Sequence, residues 1–269
     1  APDGTRIAYA TSGEGPPILY VLGFWTHLEN GQSSPFYDTD GLIAMSSREH
    51  LFVRYDGRGS GLSDRGVVDF SLQARVSDIE AVVEALDLDQ FALFAVSGGG
   101  PAAIDFVAKH PERVSRLVLA GCIAKPGWDD VARDAFLKQL DLYEVAWDRP
   151  EVSNMHAELL LRPHATEVSR SFLGEMLRRA ADGEDVKSFL SSSIELDVEK
   201  QASQIRVPTL VIHAVDDAIV PIAMGRRLAS LIPQASFEVV EGGHLASSAS
   251  TPATRKLALD FLSAERQTK

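Results

Sequence analysis

Ser97 stands where a side chain could do nucleophilic chemistry. The run 91–101 reads FALFAVSGGGP, an apolar stretch that gives way to three glycines and a proline. Such a run predicts a strand turning abruptly into a helix, with the serine held out on the turn. A turn that sharp strains the backbone, so the residues two before and two after the serine must be small. Ala95 and Gly99 meet that demand. The helix beginning at Gly98 would aim its free N–H groups and the positive end of its dipole at the space above Ser97. That is where a negatively charged oxygen would form if Ser97 attacked a carbonyl, and the Gly98 N–H is one candidate donor to it. The same short pattern also suits a serine that merely caps a helix, and its surroundings must decide.

Those surroundings alternate short apolar runs with helical segments, which is the pattern of an α/β fold. The runs 18–22, 91–96, 117–120 and 209–212 are continuous rather than alternating, as expected of parallel strands covered on both faces, and 51–55 is a weaker member. Leu72, Val76, Ile79, Val83 and Leu86 recur at spacings of four and three, which predicts a helix with one apolar stripe against the sheet. Segment 101–108 is apolar nearly all round, broken only by Asp105, and should form a central, buried helix. The rhythm stops after Cys122 and resumes at Val207. Between them Phe136, Leu140, Tyr143 and Trp147 repeat at helical spacing, with no convincing strand. We expect a core of residues 1–122 and 207–269 and an inserted helical cap of residues 123–206, hinged at Pro126–Gly127 and around Arg206–Pro208. Further elements are expected at 223–231, 237–240 and 253–262.

Composition narrows the function classes. The chain has 269 residues, 45% of them hydrophobic, with 26 Lys and Arg against 38 Asp and Glu for a net charge of -12. A chain this long can bury a full core. With no basic run, neither nucleic acid nor an anionic membrane is an expected partner. A single cysteine, Cys122, cannot form an intrachain disulfide and is expected to pack as a small buried hydrophobe. No apolar stretch reaches the ~18 to 20 residues needed to cross a bilayer, and the expected location is the cytoplasm. The run Asp56-Gly57-Arg58-Gly59-Ser60-Gly61 has a misplaced third glycine and opens no helix, which argues against a dinucleotide loop. His156, His164 and His213 lack partners at metal-ligand spacings, so neither a metal nor a cofactor is expected.

Taken in order, six segments resemble the α/β-hydrolase family over nearly the whole chain. They are LYVLGF (19–24), VRYDGRGSGLSD (53–64), AVSGGGPAA (95–103), HPERVSRLVLAG (110–121), VPTLVIHAVDDAIVP (207–221) and EGGHLAS (241–247). Within the family, the chain looks like bacterial hydrolase domains that occur alone or joined to cyclase or helix-turn-helix modules. The resemblance implies a mostly parallel sheet flanked by helices, an inserted helical cap, and a Ser-His-Asp triad. Asp217 matches the family's acid position, with Ala214 where glycine is usual, and Asp216 is the neighbour to exclude. Adjacent side chains on extended backbone point apart, so only one of the two carboxylates can face a given partner. His244, in a Gly-Gly-His loop, matches the family's histidine. The resemblance assigns the oxyanion to the backbone N–H groups of Gly98 and Phe24. Leu22 precedes Gly23 where the family often has histidine, and any bond from that histidine is missing.

What the resemblance implies is cleavage of a carboxylic ester or lactone with a medium-sized apolar group, since a serine at the elbow argues against the family members with an aspartate nucleophile. Trp25, His27, Trp128 and Tyr143 are expected to line the substrate pocket, with most other cap aromatics holding the cap together. Two alternatives stay open. One is a carbon–carbon bond hydrolase or peracid-forming enzyme on the same triad; the other is a ligand-sensing domain with little turnover.

Overall fold

The computed structural model describes residues 1–23, 26–29, 39–247 and 250–264. Seven strands form one sheet: β1 (Tyr9–Ser12), β2 (Pro17–Val21), β3 (Leu51–Tyr55), β4 (Phe91–Val96), β5 (Val114–Ala120), β6 (Thr209–Ala214) and β7 (Ala235–Val240). Their spatial order is β1-β3-β2-β4-β5-β6-β7, and every pairing is parallel except that of β1 with β3. Strand β1 was not expected from the sequence. Its residues, YATS, lie at the edge of the sheet and none is fully buried, so nothing selects an apolar run there.

The central strand explains why continuous apolar runs were needed. All six residues of β4 are buried. Phe91, Leu93 and Ala95 join one core cluster, with side chains of α2 (Leu72–Ala85) and α3 (Gly100–Lys109). Ala92, Phe94 and Val96 join another on the opposite face, with α11 (Pro252–Ser263). Truncating Phe94 to alanine in so dense a layer would cost about 3 to 5 kcal/mol. Helix α2 starts at Ser71, whose side chain accepts from the Ala74 N–H. The one buried charge of α3, Asp105, is satisfied by Gln73, Gln201 and the half-exposed Lys109 at the helix end.

Between β3 and α2 the glycine-rich run wraps a carboxylate. Asp56 Oδ2 accepts from the N–H groups of Leu28 and Leu62, and a Cβ on Gly61 would lie 2.1 Å from that oxygen. Arg58 turns inward and forks onto Asp78 of α2, with Nε–Oδ2 at 2.9 Å and Nη2–Oδ1 at 2.7 Å. The glycines therefore serve a turn packed on an acid.

Helix α1 (Thr39–Ser46) precedes β3, and α9 (Ile222–Leu231) and the short α10 (His244–Ser247) flank β7 in the chain. Five helices run between β5 and β6: α4 (Asp130–Ala146), α5 (Pro150–Leu161), α6 (Glu167–Ala180), α7 (Gly183–Ser192) and α8 (Glu199–Gln204). Most of them share an apolar cluster of their own, built around Leu140, Tyr143, Trp147, Leu177, Val186 and Phe189. Leu245 of α10 and Ile219 of the loop that follows β6 pack against it.

Candidate active site

Strand β4 ends in extended backbone at Val96, and the chain then passes through one 3-10 turn, Ser97–Gly99, into α3. Ser97 has φ of 51°, the left-handed region that a non-glycine residue occupies only under constraint. The demand for small neighbours is steric. A Cβ on Gly99 would lie 2.6 Å from the Val21 carbonyl oxygen, and one on Gly100 would meet Cys122 Sγ at 2.6 Å. Cys122 is buried behind the turn, and burial pushes its thiol up to about 12. Gly23 packs on the same turn, since a Cβ there would come within 3.0 Å of the Gly98 nitrogen. The Gly98 N–H thus lies where the two loops meet, whereas Phe24 and Trp25 fall outside the described residues.

His244 opens α10 after two glycines, and both are required. Gly242 has φ of 105°, and a Cβ on Gly243 would overlap the Arg162 carbonyl oxygen at 1.6 Å. The imidazole is buried, with Nε2 at 2.8 Å from Ser97 Oγ and Nδ1 at 2.7 Å from Asp217 Oδ2. A carboxylate only accepts, so Nδ1 carries the proton and Nε2 of the neutral ring is free to accept from the Ser97 hydroxyl. Asp217 Oδ1 accepts from the N–H groups of Ile219 and Val220 at 2.9 and 2.8 Å, which fixes the carboxylate's plane. His213 adds a further contact, its Nε2 lying 2.8 Å from the Val220 carbonyl oxygen and 3.5 Å from Asp217 Oδ2. Burial lowers the His213 imidazole's affinity for protons, opposed by that carbonyl and by Asp217. Asp216 is exposed and directs only its backbone N–H inward, to the Gly242 carbonyl.

Above the line of three side chains lies a cavity of about 630 Å³. Leu22, Ser97, Gly98 and His244 line its floor, and Phe136, Met176 and Phe189 come from the inserted helices. His27 and Trp128 line it, with Trp128 stacked on Phe136 at a centroid distance of 4.5 Å. Tyr143 does not. It is fully buried one layer back, its hydroxyl bonded to His156 Nδ1 at 2.9 Å and to Gln139. The stripe containing Leu140, Tyr143 and Trp147 faces the helical cluster, so only its first member, Phe136, reaches the cavity. Gln139 and His156 line the cavity in its place. Gln139 lies one turn before Tyr143, a spacing that could have paired them in advance. No comparable signal marked His156, which α5 brings in from elsewhere in the chain. Burial, together with the nearby His244, lowers its pKa to about 3. Among the described residues, no group of three or more His, Cys, Asp or Glu side chains could hold a metal ion, and no helix is long and apolar enough to cross a membrane.

The family description alpha/beta hydrolase fold matches residues 16–248. The chain belongs to the alpha/beta hydrolase fold family. A protein of Caulobacter sp. (strain K31) named as a carbamate hydrolase is 28% identical over 233 residues, covering 82% of this chain and 84% of that one. The 3-oxoadipate enol-lactonase 2 of Acinetobacter baylyi is 25% identical over 247 residues, covering 89% and 86%. Among solved structures, the enol-lactonase from Burkholderia xenovorans LB400 superposes with a TM-score of 0.84 at 21% identity, over 97% of this chain and 98% of that one. At that identity the likeness concerns the fold. The chain is accordingly a hydrolase of the alpha/beta family.

Proposed function

We propose that this hydrolase cleaves a carboxylic ester or lactone of a medium-sized, largely apolar substrate through an acyl-enzyme on Ser97. The observation that carries the reading is the unbroken line Ser97 Oγ–His244 Nε2–Nδ1–Asp217 Oδ2, with spacings of 2.8 and 2.7 Å, at the floor of an apolar cavity. His244 takes the Ser97 proton as Oγ attacks the carbonyl carbon, then returns it to the leaving oxygen. Asp217 holds the imidazole in the tautomer that can accept, and balances the imidazolium that forms. The oxyanion accepts from the Gly98 N–H and, in our reading, from Phe24, each donor worth on the order of 3 kcal/mol. Water then repeats the sequence on the acyl-enzyme with His244 again as base. Helices α4 to α7 act as the cap and confine the substrate, and the relatives named for lactone and carbamate cleavage support acyl chemistry of this kind.

Labelling with a fluorophosphonate probe tests the nucleophile directly, and a panel of aryl esters, lactones and aryl carbamates ranks the substrate. Covalent labelling abolished in Ser97→Ala, together with turnover of esters or lactones, is the expected result. An unlabelled wild type that binds apolar ligands without turnover would overturn the reading in favour of a sensing domain.

A further inference from the structure

Arg75 is a buried cation that leaves most of its hydrogen-bond donors unused. It lies on α2 with only 7% of its surface exposed, yet its Nε and Nη2 are buried and meet no acceptor among the described residues. Its Nη1 donates a long hydrogen bond, 3.5 Å, to the Gly98 carbonyl. Asp78, one turn further along the helix, gives both of its carboxylate oxygens to Arg58. Burial pulls the Arg75 guanidinium down to about 10, opposed by Tyr55 and Asp78, and it remains a cation at neutral pH. A buried charge with idle donors is strongly destabilising, and such departures from good packing gather at functional sites.

What surrounds the charge indicates its use. The guanidinium stacks over the Phe189 ring, 5.0 Å from the centroid. Phe189 in turn presses on the elbow, since a Cβ on Gly98 would lie 3.0 Å from its Cζ. Arg75 therefore grips the residue after Ser97 twice, through its carbonyl and through the ring packed against it. We propose that Arg75 is a positioning residue for the oxyanion site, holding Gly98 in place and setting a buried positive charge behind its N–H. The inference rests on the serine-hydrolase reading. In the step concerned, the Ser97 Oγ–carbon bond forms, the carbonyl π pair moves onto oxygen and the serine proton passes to His244. Arg75 stabilises the negative oxygen without touching it. A unit charge delivered in this way, at an effective dielectric of about 20, is worth roughly 10- to 100-fold in rate.

The test separates charge from packing. Arg75→Met and Arg75→Gln remove the charge, and Arg75→Lys keeps it. Each purified variant is checked by circular dichroism and melting, then assayed for kcat and KM on an aryl ester. It is also assayed for inhibition by a trifluoromethyl ketone and by the matching methyl ketone. The fluoroketone takes up Ser97 and carries an oxyanion, whereas the methyl ketone only fills the cavity. In the neutral variants kcat and fluoroketone affinity should each fall about 10- to 100-fold, with KM and methyl-ketone affinity changed less than about threefold. Lysine should recover most of the loss. Should neither neutral variant fold, Arg75→Lys decides alone: its ammonium is too short to reach both the Gly98 carbonyl and the Phe189 ring, so a residual fall of about two- to tenfold, shared by kcat and the fluoroketone and absent from KM and the methyl ketone, is expected. Unchanged kcat and fluoroketone affinity, or an equal fall for both ketones, overturns the inference. A wild type that takes no fluorophosphonate would instead strike the serine-hydrolase reading.

Discussion

Asp78 and Asp217 are both buried carboxylates, and their partners differ in kind. Asp78 meets the Arg58 guanidinium through two short, parallel bonds, and Arg58 also binds Asp3 and the Asp69 carbonyl. The guanidinium in that cluster cannot give up its proton near neutrality, so the arrangement ties β3, its turn and α2 together and offers nothing to a reactant. Asp217 has one oxygen fixed by the backbone of its own loop and the other committed to the imidazole of His244. An imidazole can accept and release a proton where a guanidinium cannot, so in the mechanism proposed above the same type of acid serves a group that moves a proton. The partner, more than the burial, separates the two pairs.

The sharpest way to break this comparison is at the line Ser97–His244–Asp217. Ser97→Ala should lower kcat on an aryl ester by about 10⁴-fold or more, and Asp217→Asn by on the order of 10⁴, both with an unchanged circular dichroism spectrum. The Arg58 pair should respond in the opposite sense. Arg58→Met leaves Asp78 buried without its partner and should cost about 3 to 5 kcal/mol in urea unfolding, with kcat of the folded fraction close to wild type. A collapse of kcat in the folded protein would mean that the ion pair also shapes the site.

His156 gives a smaller effect that depends on pH. Burial lowers its pKa from the ordinary 6.5 to about 3, so the unfolded chain binds more protons than the folded one between those values. Stability should therefore fall as pH drops through that window, by at most about 1.4 kcal/mol per unit from this group. His156→Gln should flatten the slope in urea titrations between about pH 6.5 and 4, and an unchanged slope would assign the acid sensitivity elsewhere. The smallest effect belongs to Asp216→Asn, whose exposed carboxylate should matter less than about tenfold in kcat. If Asp216→Asn were crippled and Asp217→Asn nearly normal, the two acids would have to exchange roles.

Much of this organisation was legible in the residues. Strand β4 was readable because a strand covered on both faces cannot alternate, and α2 because a helix covered on one face must repeat its apolar residues at three and four. The elbow was readable because its geometry admits so few side chains at positions 95 to 100. Strand β1 was missed for the converse reason, as an edge strand of YATS carries no apolar signature. Helix α1 likewise has no clear amphipathic stripe in TDGLIAMS.

Local pattern therefore determined the core elements and the strained turn that carries Ser97, because burial and backbone strain act on the residues that carry them. Contacts between distant segments were decided only in three dimensions. Asp217 rather than Asp216 meets His244 because the turn after β6 buries one carboxylate against the imidazole and leaves the other in solvent. Tyr143 retreats behind Gln139 and His156 because the helices it helps to pack need its ring more than the cavity does. Arg75 meets Gly98 across two elements. A residue's type and spacing set what it can do. Which partner it meets follows from how the sheet and helices pack, and packing energy is shared among many residues that are far apart in the chain.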